Sequence, residues 1–96
     1  MVRPPQHRPG MGRPPSFHAI RGPVYHYPRG YHYQRWSIGG FLPLIFLSSP
    51  YIYSDYYDLG VGPPPPGCYW VRYGPDLLLV RRHSRRIVDV IYGAFL

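Results

Sequence analysis

Cys68-Tyr69-Trp70-Val71-Arg72-Tyr73, then Gly74-Pro75, then Asp76-Leu77-Leu78-Leu79-Val80 is the stretch whose reading decides the fold. Its first six residues alternate, with Tyr69, Val71 and Tyr73 on one side and Cys68, Trp70 and Arg72 on the other, the two-residue period of a β-strand. Gly74-Pro75 marks a turn. The unbroken apolar run Leu77–Val80 then fits a central strand covered on both faces. Downstream, Arg81 to Arg86 is polar and charged and makes a second turn. Ile87-Val88-Asp89-Val90-Ile91-Tyr92 is β-branched at four of six positions and reads as a third strand. Two tight reversals imply an antiparallel meander.

Upstream of this unit, Pro63 to Pro66 is a polyproline stretch with fixed φ and no backbone donors, a stiff strap over the domain surface. Tyr51-Ile52-Tyr53-Ser54-Asp55-Tyr56-Tyr57 lies between Pro50 and Gly60 and is read as a further strand at one edge. Gly39-Gly40-Phe41-Leu42-Pro43 is an apolar lead-in too rich in glycine and proline for a regular element. The expectation is a mostly β fold, a small antiparallel meander of three to four strands over residues 37–96, with no helix.

Residues 1–36 differ in kind. Up to Arg35 they hold six arginines and no acid, so the net charge of +7 resides almost wholly there. Seven prolines and four glycines in that span stop helix or sheet from propagating. The tract, with Arg-Pro-Pro at 3–5 and 13–15, Tyr25-His26-Tyr27 and Tyr31-His32-Tyr33, is read as a disordered basic linker of local polyproline II character. Three active roles compete with a plain tether. Arginines and tyrosines could track phosphates and stack on bases, although nucleic acid is the less favoured partner. They could rest on an anionic lipid or polymer surface. His7, His18, His26 and His32 could bind a divalent transition metal such as nickel, cobalt, copper or zinc, and only weakly, since their intervals of 11, 8 and 6 match no preformed site.

Only about 60 residues remain to build a core, a size that buries roughly 60% of its unfolded surface and is marginal alone. Cys68 is the sole cysteine, which excludes an internal disulfide and a cysteine-rich zinc site. It reads as a small buried hydrophobe. The longest apolar run, Ile38 to Leu47, is ten residues with two glycines and a proline, against about 20 for a membrane span. It has neither the position nor the flank of a signal peptide, so the chain by itself reads as soluble.

No catalytic constellation is legible. Asp55 and Asp58 read as turn residues, His83 among Arg81, Arg82, Arg85 and Arg86 as a loop histidine, and Trp70 as a core anchor. Asp76 is expected to cap the Gly74-Pro75 turn through its own backbone. Arg72 and Asp89 are candidates for a cross-strand pair, with the register left open.

Pro65-Pro66-Gly67-x-Tyr69-Trp70-Val71-Arg72-Tyr73-Gly74-x-Asp76-x-Leu78-Leu79-Val80 resembles the hallmark stretch of the RcnB family of bacterial nickel/cobalt-homeostasis proteins. Ile87-x-x-Val90-Ile91 is similar to that family's closing strand, and Gly39-Gly40-x-Leu42-Pro43 with Tyr53 and Asp55 to its looser upstream region. The likeness covers about the last 57 residues, Gly39 to Phe95. It implies a non-enzymatic periplasmic or envelope-associated protein, acting beside another envelope protein or a cation-efflux system. The family's export signal has no counterpart here, which implies a start downstream of the true one or a truncated chain. Two departures are visible. Ser84-Arg85 stands where the family has Thr-Gly, so that turn must be longer or strained. Pro75 stands where Asn or Asp is usual.

Overall fold

The computed structural model describes residues 4–96, so Met1, Val2 and Arg3, including the first residue of the leading Arg-Pro-Pro, lie outside the described residues. Three strands form one sheet: β1 over Cys68–Tyr73, β2 over Asp76–Arg81 and β3 over Ile87–Ile91, in the order β1-β2-β3. Both pairings are antiparallel. The meander read from the sequence is therefore the fold.

The first reversal uses two residues between the paired Tyr73 and Asp76. Gly74 has φ of 58°, a positive value at the first turn position, where glycine fits the twist of a two-residue hairpin. The second reversal closes through Arg81 N–H donating to the Arg86 carbonyl and Arg85 N–H donating to that of Arg81. Arg85 is there at φ 62°, the only non-glycine with positive φ among the described residues. The strain expected where Arg85 replaces a glycine is thus located at that residue. A bulge follows. Leu79 pairs with Asp89 and Val80 with Ile87, leaving Val88 opposite no partner.

The sheet separates two apolar layers. Cys68, Trp70, Leu77, Leu79, Val88 and Ile91 pack on one face with Leu59, Val61, Ala94 and Phe95. Val71, Tyr73, Leu78, Val80, Ile87 and Val90 pack on the other with Leu42 and Phe46. The alternation of β1 sorts its side chains as read, and Leu77–Val80 is buried on both faces because each face has its own cover.

The Tyr51–Tyr57 segment departs from expectation. It is not a strand: only Ile52 forms a bridge, to Val71, and the chain enters a 3-10 turn at Tyr56–Leu59. Tyr53 N–H donates to the Trp70 carbonyl and Arg72 N–H to that of Tyr51, so pairing with the free edge of β1 lasts three residues. Asp55, with φ −91° and ψ 39°, then turns the chain, and Gly60 ends the 3-10 turn in the left-handed region. Tyrosine-rich composition favoured a strand, but the following glycine and paired aspartates favoured the turn. The other edge is treated alike. Gly39 N–H donates to the Ile87 carbonyl, Ile87 N–H to that of Gly40, and Leu42 N–H to that of Arg85. Leu44–Leu47 follows as a second 3-10 turn that inserts Phe46 into the core.

Residues 4–36 hold no helix or strand, only a bridge from Ile20 to Phe95, yet they are seated along the sheet. His7 N–H donates to the Pro63 carbonyl, Gly10 N–H to that of Val88, His18 N–H to that of Leu59, and Ile20 N–H to that of Ala94. Phe17 and Ile20 pack on the Trp70 face, Tyr27 and Trp36 on the Tyr73 face. The tract crosses from one layer to the other.

Candidate functional site

The resembling motif is used almost entirely inside the fold. Trp70 is 1% exposed and its Nε1–H donates to the Gly62 carbonyl at 3.0 Å, which satisfies the indole donor and holds the end of the polyproline strap. Arg72 donates through Nε to the Gly74 carbonyl at 2.9 Å and through Nη1 to that of Pro23 at 2.8 Å. Its guanidinium lies 4.3 Å from the Phe95 ring and 5.4 Å from that of Tyr25. Tyr73 O–H donates to the His32 carbonyl at 2.6 Å. Tyr69, Val71, Leu78, Leu79 and Val80 serve packing, and Pro66 and Gly67 are exposed at the approach to β1.

Asp76 differs from expectation. It is buried, its Oδ1 accepts from Gly93 N–H at 3.0 Å and its Oδ2 from the Tyr33 hydroxyl at 2.7 Å. Gly74 supplies the turn geometry, which leaves the carboxylate free to join the tract and the C-terminal segment. That bond pushes the Tyr33 hydroxyl up to about 12, with burial adding to it. The Arg72–Asp89 pair does not form either, because β2 stands between the two strands.

Asp89 takes its partners from the tract instead. Trp70, Leu79 and Asp89 form one row across the sheet, and His7 closes on that row. His7 Nε2 lies 2.5 Å from Asp89 Oδ2, and the imidazole meets the Trp70 ring edge-on at 4.7 Å between centroids. Gly12 N–H donates to the same oxygen at 2.9 Å, and Val90 N–H to Oδ1 at 2.9 Å. A buried carboxylate on an apolar sheet face is costly unless hydrogen-bonded. Here three donors satisfy it, two of them supplied by the tract. His7 Nδ1 is buried without a partner, and the ring borders an apolar cavity of about 290 Å³ lined by Pro4, Pro5, Met11 and Pro14.

The four histidines considered as metal ligands are not brought together. His7 is engaged with Asp89, His18 Nδ1 lies 3.3 Å from the Ser16 carbonyl, and His26 borders an open groove with Tyr25, Tyr51 and Arg72. His32 is exposed. Among the described residues no three His, Cys, Asp or Glu side chains are grouped so as to hold a metal ion. Asp55, Asp58 and His83 are exposed and apart from these. Cys68 is free and buried, and burial raises its thiol above the ordinary value.

The β2–β3 connection presents a dense run of positive charge. Arg81, Arg82, Arg85 and Arg86 are all exposed, with His83 and Ser84 between them and no acid. Phe41, 59% exposed, is bridged to Arg86, and Ile38, 56% exposed, borders a shallow depression with Pro9, Arg81 and Arg86. Leu44 and Ile45, 67% and 44% exposed, continue the segment. The sequence contained this signal in two separate runs; the Phe41–Arg86 bridge that joins them is visible only in three dimensions.

The fold and these contacts define a small antiparallel β-meander fastened by its own basic N-terminal tract. In comparisons with known proteins, the chain matches no protein-family model, no curated protein and no solved structure.

Proposed function

We propose that the chain is a non-enzymatic, RcnB-like envelope protein that contributes to nickel/cobalt homeostasis by contact with a protein partner. The observation that supports this reading is the use made of the 65–80 motif. The polar groups of Trp70, Arg72 and Asp76 are spent on Gly62, Gly74, Pro23, Gly93 and Tyr33, all within the chain. Groups that perform catalysis must meet a substrate, and these meet backbone groups and the Tyr33 hydroxyl of the same chain. A motif spent in this way marks a scaffold, and the likeness to the family is then a likeness of scaffold, with the metal role attached by analogy. Any direct metal contact falls to His18, His26 and His32, since His7 is withdrawn into its contact with Asp89.

The test is calorimetric titration of nickel and cobalt into the native chain and into a variant with His18, His26 and His32 replaced by alanine. The expected outcome is weak heat, of micromolar affinity or poorer, abolished in the variant while the fold persists. Tight binding retained by the variant would defeat the reading. In cells, loss of the gene is expected to alter nickel or cobalt tolerance, and the triple variant to restore it as well as the native gene.

A further inference from the structure

We infer that the tip of the β2–β3 hairpin, together with the apolar segment from Ile38 to Ile45, is a docking surface for an anionic lipid membrane. Two properties of this one region carry the inference. The first is charge. Four arginines fall within six residues, and the side chains of Arg82, Arg85 and Arg86 make no hydrogen bond, ion pair or ring contact among the described residues. Elsewhere Arg8, Arg21 and Arg29 are also exposed but lie scattered along the tract, and the other three described arginines outside the hairpin are occupied. Arg13 donates to the Tyr92 carbonyl and lies over Phe17, Arg35 stacks 3.6 Å from the centre of Tyr92, and Arg72 is bonded to Pro23 and Gly74. Of the four aspartates, Asp76 and Asp89 are buried and Asp55 and Asp58 belong to another turn, so no acid within the hairpin neutralises its tip.

The second property is the neighbouring apolar surface. Phe41 is fixed beside Arg86 by the backbone bridge, and Ile38 shares its depression with Arg81 and Arg86. Exposed apolar side chains concentrated beside a basic rim mark an interaction surface. Their chemistry selects the partner. A nucleic acid recognised by charge also needs several aromatic platforms for its bases, and here Phe41 stands beside the aliphatic Ile38, Leu44 and Ile45. Aliphatic and phenyl groups beside arginines suit the headgroup–acyl boundary of a bilayer, where the arginines meet lipid phosphates while the apolar groups enter the interface. A flat sheet partner is disfavoured here, because the backbone of residues 39–42 already pairs with the start of β3.

The test is co-sedimentation of the full chain with vesicles of phosphatidylcholine alone and with about 30 mol% phosphatidylglycerol, the lipid whose charge each basic residue would meet. Binding is expected only to the anionic vesicles and is expected to weaken with salt. Replacing Arg82 and Arg86 together by glutamine should weaken partitioning about 25-fold, at about fivefold per arginine. Phe41→Ser should weaken it several-fold at unchanged charge, with Ile38→Ser as the second variant should Phe41→Ser unfold. Arg21→Gln/Arg29→Gln, which alters exposed arginines of the tract away from the Ile38 depression, should leave binding within about twofold. Thermal melts confirm that each variant is folded. No sedimentation, equal binding to both vesicles, or equal loss in the tract variant would overturn the inference. So would tight binding of single-stranded oligonucleotide that is indifferent to Phe41→Ser.

Discussion

Replacing Gly62 by alanine adds one methyl group and should nevertheless be among the most damaging substitutions in the chain. A Cβ at Gly62 would stand 1.7 Å from the Pro5 carbonyl oxygen, against the 3.4 Å where ordinary contact begins. The tract must therefore retreat by the difference, about 1.7 Å, or peel away. Gly62 does not occupy the left-handed region, so alanine carries no conformational penalty of its own there. All the cost arises from what the retreat breaks. The His7 N–H bond to Pro63 at 2.9 Å is lost, worth about 1 kcal/mol. The contact of His7 with Asp89 opens next, and a buried carboxylate deprived of a donor costs about 1–3 kcal/mol more. The sum is about 2–4 kcal/mol, which for a chain of this size lowers Tm by roughly 10–25 °C. Urea unfolding gives the free energy, and chymotryptic cleavage after Phe17, which packs on the Trp70 face, reports release of the tract directly. His7→Ala already removes the contact with Asp89 while keeping the backbone bond to Pro63, so Gly62→Ala should cost less in that background, by about the 1–3 kcal/mol assigned to that contact. A loss below about 0.5 kcal/mol, or costs that simply add, would refute the docking of the tract on the strap.

Arg85→Gly should stabilise the chain by about 0.5–1 kcal/mol, since the left-handed conformation costs a non-glycine residue about 1–2 kcal/mol and glycine returns part of that as lost freedom; a urea midpoint at or below the native one would count against strain at φ 62°. Alkaline titration should separate the tyrosines. Tyr33 is raised to about 12 by its bond to Asp76, and burial raises Tyr25, Tyr27, Tyr53 and Tyr73. A tyrosine raised by folding contributes stability that is present in full below its unfolded value near 10 and is lost as pH rises through the folded one. The tyrosinate absorbance of the native chain should thus lag that of the urea-unfolded chain above pH of about 10, and Asp76→Asn should shrink the lag. Coincident curves would remove the burial argument.

What was legible in the sequence was whatever depends on period and on neighbours. Alternation over 68–73 fixed two faces because a strand has no other way to place successive side chains. Leu77–Val80 could be read as central because an exposed face would have left two leucines in water. The strain at Arg85 was anticipated only through the family resemblance, whose pattern has glycine at that turn position. Long-range choices were not. Asp89 reaches a histidine 82 residues away, and Asp76 a tyrosine 43 residues away. Nothing local distinguishes these carboxylates from ones that cap turns or face arginines. The Tyr51–Tyr57 segment misleads for a related reason. Its residue types fit a pleated surface, but only Ile52 finds one at the edge of β1.

The tract's composition poses a different problem, since proline and glycine forbid regular structure without forbidding a seat. A sheet of three strands has two apolar faces, and among the described residues only two short 3-10 turns are available to help cover them. The domain's own segments cover each face in part, with Leu59, Val61 and Phe95 on one side and Leu42 and Phe46 on the other. The tract extends both layers: Phe17 and Ile20 on one side, Tyr27 and Trp36 on the other. Glycine is what lets it come close, because Gly60 and Gly62 would each drive a Cβ into a tract carbonyl. The same residues that look like a free basic tail are then part of the core, with His7 at 1% exposure. A ligand that drew Tyr25, Tyr27 or His7 outward would work against the free energy of folding. Recognition costs least where the arginines and apolar groups are already turned outward, at the hairpin tip and its Phe41 neighbour.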